Sequence, residues 1–236
     1  MICVSIAERS AGECLKALTG LAFAEIRMDR MQRLTVKDVH DIFSVDMDLI
    51  ATCRPGTFSE DERKGLLVAA IEAGASYVDI EADSDGSFAR EIIAKARSRS
   101  CAVIISFHDY ERTPEREELL RIVSLCFESG GDIAKIACKV NSERDNARLL
   151  GLLDSGRDVI VIGMGEKGRI TRIVAPLLGS PFTYAAPARG RETADGQLDR
   201  ETMERYLRML SGNGSRESMD IIRMMEIEKA GETGHV

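Results

Sequence analysis

The chain has 236 residues, of which 44% are hydrophobic and 30% are charged. This composition excludes an intrinsically disordered chain, and the length suits a single large α/β domain. The net charge of -7 disfavours a nucleic-acid partner, and no apolar run is long enough to cross a bilayer, so we expect a soluble cytoplasmic protein without a membrane partner.

Eight strand-like apolar runs follow one another along the chain, at residues 2–7, 23–29, 48–54, 77–82, 102–109, 132–140, 158–165 and 182–186. The segments between them carry apolar residues at helical spacing, as in 115–130. Buried strands that alternate with helices are typical of a parallel sheet, and eight such units allow the sheet to close. The sequence therefore predicts a (β/α)8 TIM barrel over residues 1–210, with an open doubly wound sheet as the alternative.

The last part of the chain differs from the eight repeats. Residues 211–215 read "SGNGS" and predict a linker, and residues 216–230 form an amphipathic segment rich in methionine. We expect this extension to pack on the barrel or on a partner subunit.

The cysteines form no C-x-x-C pair, and most of them lie inside apolar runs. Their positions are Cys3, Cys14, Cys53, Cys101, Cys126 and Cys138. This spacing predicts reduced thiols and no zinc site.

Polar residues lie where the predicted strands end, which in a barrel of this class is the mouth of the active site. The principal candidates are Glu25, Arg27, Arg54, His108 and Lys135. Apolar neighbours surround Lys135, so its amine either reaches water or lies buried among arginines, where the neutral, nucleophilic form is favoured. Together these groups suit a small anionic carbonyl compound: arginine binds the anion, lysine forms an imine and histidine transfers protons.

Four further polar residues at strand ends receive weaker assignments. Asp79 and Asp83 are interpreted as flanking a solvated edge, and Lys139 as an ordinary solvated lysine. Glu81 adds a carboxylate to the same rim.

The stretch "GMGEKG" fits the pattern G-x-G-x-x-G of dinucleotide-binding loops, with Gly163, Gly165 and Gly168. It falls in the seventh unit, and the acidic residue expected about 20 positions later is absent, because the sequence there reads "AAPARG". We therefore expect a turn or a small anion site and no dinucleotide cofactor.

Five motifs, "EIRMD", "SFHDY", "DIAKIA", "GRITR" and "TADGQ", occur in this order, and together they resemble type I 3-dehydroquinate dehydratase of the shikimate pathway. The resemblance runs from "CVSIA" to about Leu210. It implies a (β/α)8 barrel, no metal or organic cofactor, a homodimer, and 3-dehydroquinate as the small-molecule substrate. It also implies that Lys135 forms the Schiff base and that His108 is the general base and acid. The substrate-binding residues implied by the resemblance are Ser5, Glu25, Arg27, Arg54, Arg172, Thr193 and Gln197.

One departure from the family pattern concerns the histidine. The family typically carries a Glu-Gly-Gly stretch after the arginine at the end of the third strand, and its acid orients the histidine. Here "RPGTFSEDER" follows without such a pair. Glu60 and Glu81 are the candidate replacements, and the partner of His108 is left unassigned.

Two other functions compete with the dehydratase. A Schiff-base aldolase on the same barrel shares the lysine, although no convincing phosphate site is present. A barrel that binds a small acid without catalysis is the non-enzymatic alternative, and the short loop after Arg54 favours it.

Overall fold

The computed structural model describes residues 1–211 and contains eight strands in one parallel sheet. The strands are β1 (Ile2–Ile6), β2 (Phe23–Arg27), β3 (Asp48–Thr52), β4 (Tyr77–Glu81), β5 (Ala102–Asp109), β6 (Ile133–Lys139), β7 (Val159–Met164) and β8 (Thr183–Ala185). Hydrogen bonds join them in the order β7-β6-β5-β4-β3-β2-β1-β8. Because β1 pairs with both β2 and β8, the sheet curls into a nearly closed barrel. The barrel prediction is confirmed, and the open doubly wound alternative is wrong.

A helix follows every strand and covers the outside of the sheet. The helices are α1 (Ala11–Ala17), α2 (Val36–Phe43), α3 (Glu60–Ala73), α4 (Gly86–Ser98), α5 (Arg116–Glu128), α6 (Glu143–Leu150), α7 (Arg169–Val174) and α8 (Arg200–Leu210). Capping residues set several starts: Thr35 and Ser59 form capping boxes, and Asp199 accepts a hydrogen bond from the backbone of Thr202.

Alternate residues of each strand serve two different cores. In β1, for example, Val4 and Ile6 pack outward against the helices, whereas Cys3 belongs to a second apolar cluster inside the barrel. Since strand side chains alternate with a period of two, Ser5 shares the inward face with Cys3. The same rule places the polar residues of the other strands inside, above the apolar interior cluster.

The lower part of the interior is filled with aromatic rings. Phe182 lies edge-on to Phe23 at 4.9 Å between ring centroids, and Tyr77 completes the group. Tyr184 extends it upward, 5.6 Å from Phe182. This packed layer closes the barrel from below and leaves the upper end for chemistry.

The last described helix, α8, ends at Leu210. Beyond Ser211, the predicted linker and amphipathic extension lie outside the described residues. Within residues 1–211, no helix has the length and apolar character needed to cross a membrane. The six cysteines are buried and form no disulfide.

Candidate active site

A cavity of about 260 Å³ opens at the carboxyl ends of the strands. Every residue that the resemblance assigned to the site lines it: Ser5, Glu25, Arg27, Arg54, His108, Lys135, Arg172, Thr193 and Gln197. The structure therefore brings together residues that are up to 192 positions apart along the chain.

Lys135 lies at the floor of this cavity with only 5% of its surface exposed. Its Nζ is 3.0 Å from a carboxylate oxygen of Asp79 and 3.5 Å from one of Glu25. Besides the arginines expected around it, this amine has carboxylates on β2 and β4 in direct contact. The resting amine is therefore held as one member of a buried ion cluster.

Asp79 is the centre of that cluster, and its assignment to a solvated edge is wrong. It is 2% exposed, and besides Lys135 it contacts Arg54 at 2.9 Å and accepts a hydrogen bond from Ser106 at 2.6 Å. Burial alone raises the pKa of Asp79, but the charges of Arg54 and Lys135 and the Ser106 hydrogen bond hold it well below its ordinary value. Asp79 is thus an anion that anchors two cations.

Glu25 connects the cluster to the neighbouring strands. It accepts hydrogen bonds from Ser5 at 2.8 Å and from Thr52 at 3.0 Å. Burial raises the pKa of Glu25, but the charges of Lys135 and Arg27 lower it by more. The net pKa lies below the ordinary value, so the carboxyl is ionised at neutral pH. Arg27 itself is fixed by two hydrogen bonds to Asp29.

His108 lies at the upper rim, on β5. Burial and the positive charges of Arg54 and Lys135 lower the pKa of His108 to about 3, so the imidazole is neutral near pH 7 and has a free lone pair. Its ring lies parallel to that of Tyr110, with centroids 5.9 Å apart. A neutral imidazole of this kind can accept a proton from a bound molecule.

Neither proposed carboxylate partner of His108 is paired with it. Glu81 lies 3.7 Å from Arg54 and 3.9 Å from Arg63, a residue of α3 whose Nε donates to the carbonyl of Cys53. Glu60 is exposed at the start of α3. Near the short loop after Arg54, Glu81 therefore interacts with Arg54 and Arg63 and not with the histidine. The ring of Tyr110 lies beside His108 instead.

Arg172 supplies a buried positive charge from α7. It is 1% exposed, and one of its amines donates to the carbonyl of Asp195 at 3.3 Å, whereas its Nε has no hydrogen-bond partner within the described part of the chain. Burial lowers the pKa of Arg172 to about 10, so the guanidinium remains charged at neutral pH. A buried guanidinium with a spare donor is suited to binding a carboxylate.

Residues 187–197, after β8, form a loop over the cavity, which we call the lid. Gln197 accepts hydrogen bonds from the backbone and hydroxyl of Thr193 and donates to Ser5 at 3.5 Å. Asp195 pairs with Lys139 at 2.7 Å, so this lysine, which was interpreted as solvated, is partly exposed and also contacts the lid. These contacts hold the lid close above the other site residues.

The glycine motif of residues 163–168 contacts the lid through Gly165. Gly165 donates its backbone N–H to the carbonyl of Asp195, and Gly196, with φ of 75°, packs directly on the Gly165 backbone. Gly163 and Gly168 pack against each other so closely that a Cβ on either would clash with the other's backbone. The motif therefore makes a tight turn, as expected, and the backbone of the lid takes up the surface beside Gly165.

Sequence reasoning missed the roles of three residues in the site, namely Asp79, Tyr110 and Tyr184. The period of β4 contains a signal for the first: Val78 and Ile80 face the helices, so Asp79 must face the barrel interior. The cavity thus combines a buried amine, a neutral imidazole and a buried guanidinium, which suits imine chemistry on an anionic carbonyl compound. Within residues 1–211, no three His, Cys, Asp or Glu side chains form a group that could hold a metal ion.

Comparison with known proteins is consistent with this chemistry. The family model described as type I 3-dehydroquinase matches residues 2–214. The 3-dehydroquinate dehydratase of Methanothermobacter thermautotrophicus is 39% identical over 210 residues, covering 84% of this chain and 91% of the relative. The enzyme of the same name from Methanocaldococcus jannaschii is 33% identical over 89% of this chain and 99% of its own length.

Solved structures show the same architecture. The type I 3-dehydroquinate dehydratase of Clostridium difficile, with covalently modified comenic acid, superposes with a TM-score of 0.79 at 25% identity, over 89% of this chain and 91% of the other. A 3-hexulose-6-phosphate synthase superposes with a TM-score of 0.59 at 13% identity, over 88% of this chain and 97% of the other, which shows a shared fold alone.

Proposed function

The chain belongs to the type I 3-dehydroquinase family, and on that premise we propose that it dehydrates 3-dehydroquinate to 3-dehydroshikimate in the shikimate pathway. We propose further that this carbon-oxygen lyase reaction passes through an imine between the substrate ketone and Lys135, with His108 as general base and acid. The observation that carries the mechanism is the buried amine of Lys135 at the floor of a cavity that also exposes a neutral imidazole.

The first stage joins the amine to the ketone. Nζ of Lys135 attacks the carbonyl carbon, a C–N bond forms, and the carbonyl oxygen leaves as water. An ammonium and a ketone give an iminium and water without net uptake of protons: nitrogen loses two protons, one before the attack to free its lone pair and one after it, and both end on the oxygen that leaves as water.

The second stage removes the substrate's hydroxyl group. The iminium acts as an electron sink, so His108 can take a proton from the adjacent carbon and leave an enamine. The enamine electrons then expel the hydroxyl from the next carbon, and His108 returns its proton to the departing oxygen, which leaves as water. Hydrolysis of the conjugated iminium releases the unsaturated ketone and regenerates Lys135.

Binding is assigned to the groups around the cavity. Arg172 is suited to the substrate carboxylate because its guanidinium is buried and has a spare donor. Gln197 and Thr193 would close over the same end from the lid. Ser5, Glu25, Arg27 and Arg54 present the donors and acceptors that substrate hydroxyls require.

Borohydride reduction with mass spectrometry tests the mechanism. Incubation with 3-dehydroquinate and borohydride should inactivate the protein and add the mass of the reduced adduct at Lys135. The matched control is Lys135→Met, which has a side chain of similar length and should acquire no label. Active wild-type protein that stays unlabelled would refute the imine. If wild-type protein formed no ultraviolet-absorbing enone from 3-dehydroquinate, the dehydration itself would be refuted.

Two expectations stay predictions, namely the homodimer implied by the family resemblance and the cytoplasmic location expected from the sequence composition. Light scattering of the purified protein tests the first, and fractionation of the source cells tests the second.

A further inference from the structure

The ring of Tyr184 lies directly beside the amine that is proposed to react. Nζ of Lys135 is 4.2 Å from the centroid of this ring and lies over its face. Tyr184 is 3% exposed on β8 and lines the cavity together with Lys135. The two carboxylates of Asp79 and Glu25 contact the same nitrogen, so the amine is surrounded by negative charge and by the electron-rich face of one ring.

The hydroxyl of Tyr184 takes no part in this arrangement. It is buried and has no hydrogen-bond partner within the described residues. Burial and the nearby carboxylate of Glu25 raise the pKa of Tyr184 well above its ordinary value, so the phenol is neutral. An unpaired buried hydroxyl opposes folding, and the useful part of the side chain is therefore its ring.

The ring is held in place by its neighbours inside the barrel. Phe182 lies 5.6 Å from Tyr184 with the planes at 62°. The face that Tyr184 presents to Lys135 is consequently fixed before any substrate binds.

We propose that Tyr184 is a positioning residue of the imine-forming site, whose ring stabilises the positive charge on the Lys135 nitrogen in the ammonium and again in the iminium. This inference rests on the proposed function. The neutral carbinolamine and the neutral enamine gain nothing from the ring, because a cation over an aromatic face is attracted by the ring quadrupole and a neutral nitrogen is not. Among the covalent intermediates, the ring therefore favours the iminium, which is the species that borohydride reduces, over the neutral carbinolamine and enamine.

Two substitutions separate the ring from the hydroxyl. Tyr184→Phe keeps the face and removes the unpaired hydroxyl, so the rate of borohydride trapping with 3-dehydroquinate should stay within about twofold of wild type. Tyr184→Leu removes the face, and the trapping rate and kcat should fall by about three- to thirtyfold while KM changes little. Phe23→Leu is the matched control, because it removes a ring of the same interior cluster that does not face Lys135, and it should trap as wild type does.

A graded measurement avoids dependence on the folding of the leucine variant. Fluorinated phenylalanines at position 184 preserve the shape of the side chain and progressively weaken the negative face, so the trapping rate should fall with each added fluorine. A trapping rate independent of fluorination, or equal losses in the phenylalanine and leucine variants, would overturn the proposal while leaving the imine mechanism intact. Wild-type protein that takes up no label would instead overturn the proposed function, and the role of Tyr184 with it.

Discussion

Substitution of Asp79 by asparagine isolates the ion cluster beneath the cavity. The change keeps the shape of the side chain and removes a negative charge that contacts both Lys135 and Arg54. These cations would remain buried, with Glu25 as the remaining carboxylate against Lys135. We therefore expect Asp79→Asn to lower the free energy of unfolding.

The distances set the size of the effect. The two contacts of Asp79 are 2.9 and 3.0 Å long, and at an effective dielectric constant near 20 each corresponds to roughly 5 kcal/mol of attraction. Desolvation of the ions offsets much of this, and removal of one partner from a buried ion pair typically costs about 3–5 kcal/mol. Urea unfolding of a chain of this size should convert that loss into a midpoint lower by about 1–2 M.

The pH dependence gives a second readout of the same cluster. Because the pKa of Asp79 is held below its ordinary value, its contribution to stability is present above the pKa of an unfolded aspartate, about 3.9, and is lost as the pH falls through the lower pKa in the folded protein. The difference between wild type and Asp79→Asn should therefore be complete at pH 7 and shrink only in acid.

Asp83→Asn is the matched control, since this exposed carboxylate lies two residues beyond the same strand. Its unfolding midpoint should stay close to wild type, with a change within about 0.5 kcal/mol. If Asp79→Asn unfolds at the same urea concentration as Asp83→Asn, the attraction of the buried cations does not exceed their desolvation, and the reasoning is refuted.

Other predictions concern proton transfer, binding and the lid. His108→Ala should let the borohydride-trapped imine accumulate while turnover falls; equal loss of trapping would show that the histidine is needed before the imine forms. Titration of the free protein followed by NMR should show no protonation of His108 between pH 5 and 7, because its pKa is lowered to about 3; an inflection near 6.5 would contradict the burial argument. Arg172→Ala should raise KM by about ten- to a hundredfold through loss of a charged hydrogen bond, with a smaller change in kcat; unchanged KM would remove it from the carboxylate site. Gly196→Ala should lower kcat/KM because the new Cβ would strike the backbone of Gly165, whereas Gly190→Ala, with a similar positive φ but open space around it, should not; steady-state kinetics of the two variants would separate steric obstruction from backbone strain.

The barrel and the membership of the site could be predicted from sequence because they follow from two local rules. Apolar strands alternating with amphipathic helices indicate a parallel sheet, and polar residues at strand ends indicate its mouth. The principal candidates at the strand ends and the residues implied by the family motifs line one cavity, whereas Asp79, Glu81 and Asp83, which were also selected as strand-end residues, do not. The inward position of Asp79 could also be predicted from the sequence, because Asp79 alternates with Val78 and Ile80, which face the helices.

The charge environment could not be read from the sequence in the same way. Lys135 pairs with carboxylates on β2 and β4, which are 110 and 56 residues away along the chain, so their proximity depends on how the barrel closes. No local sequence pattern links Lys135 to Glu25. The lid contacts of Lys139 and Asp195 are equally non-local, because they depend on the path of the loop after β8.

The sheet is joined by hydrogen bonds from β7 round to β8, but within residues 1–211 no ladder connects β7 to β8 themselves. The lid leaves β8 and bonds to the loop beyond β7 through Gly165, so it bridges this seam. One loop thus covers the cavity and spans the gap between the two strands that lack a ladder. We therefore expect a ligand that contacts this loop to slow hydrogen exchange in β7 and β8 as well as in the loop itself.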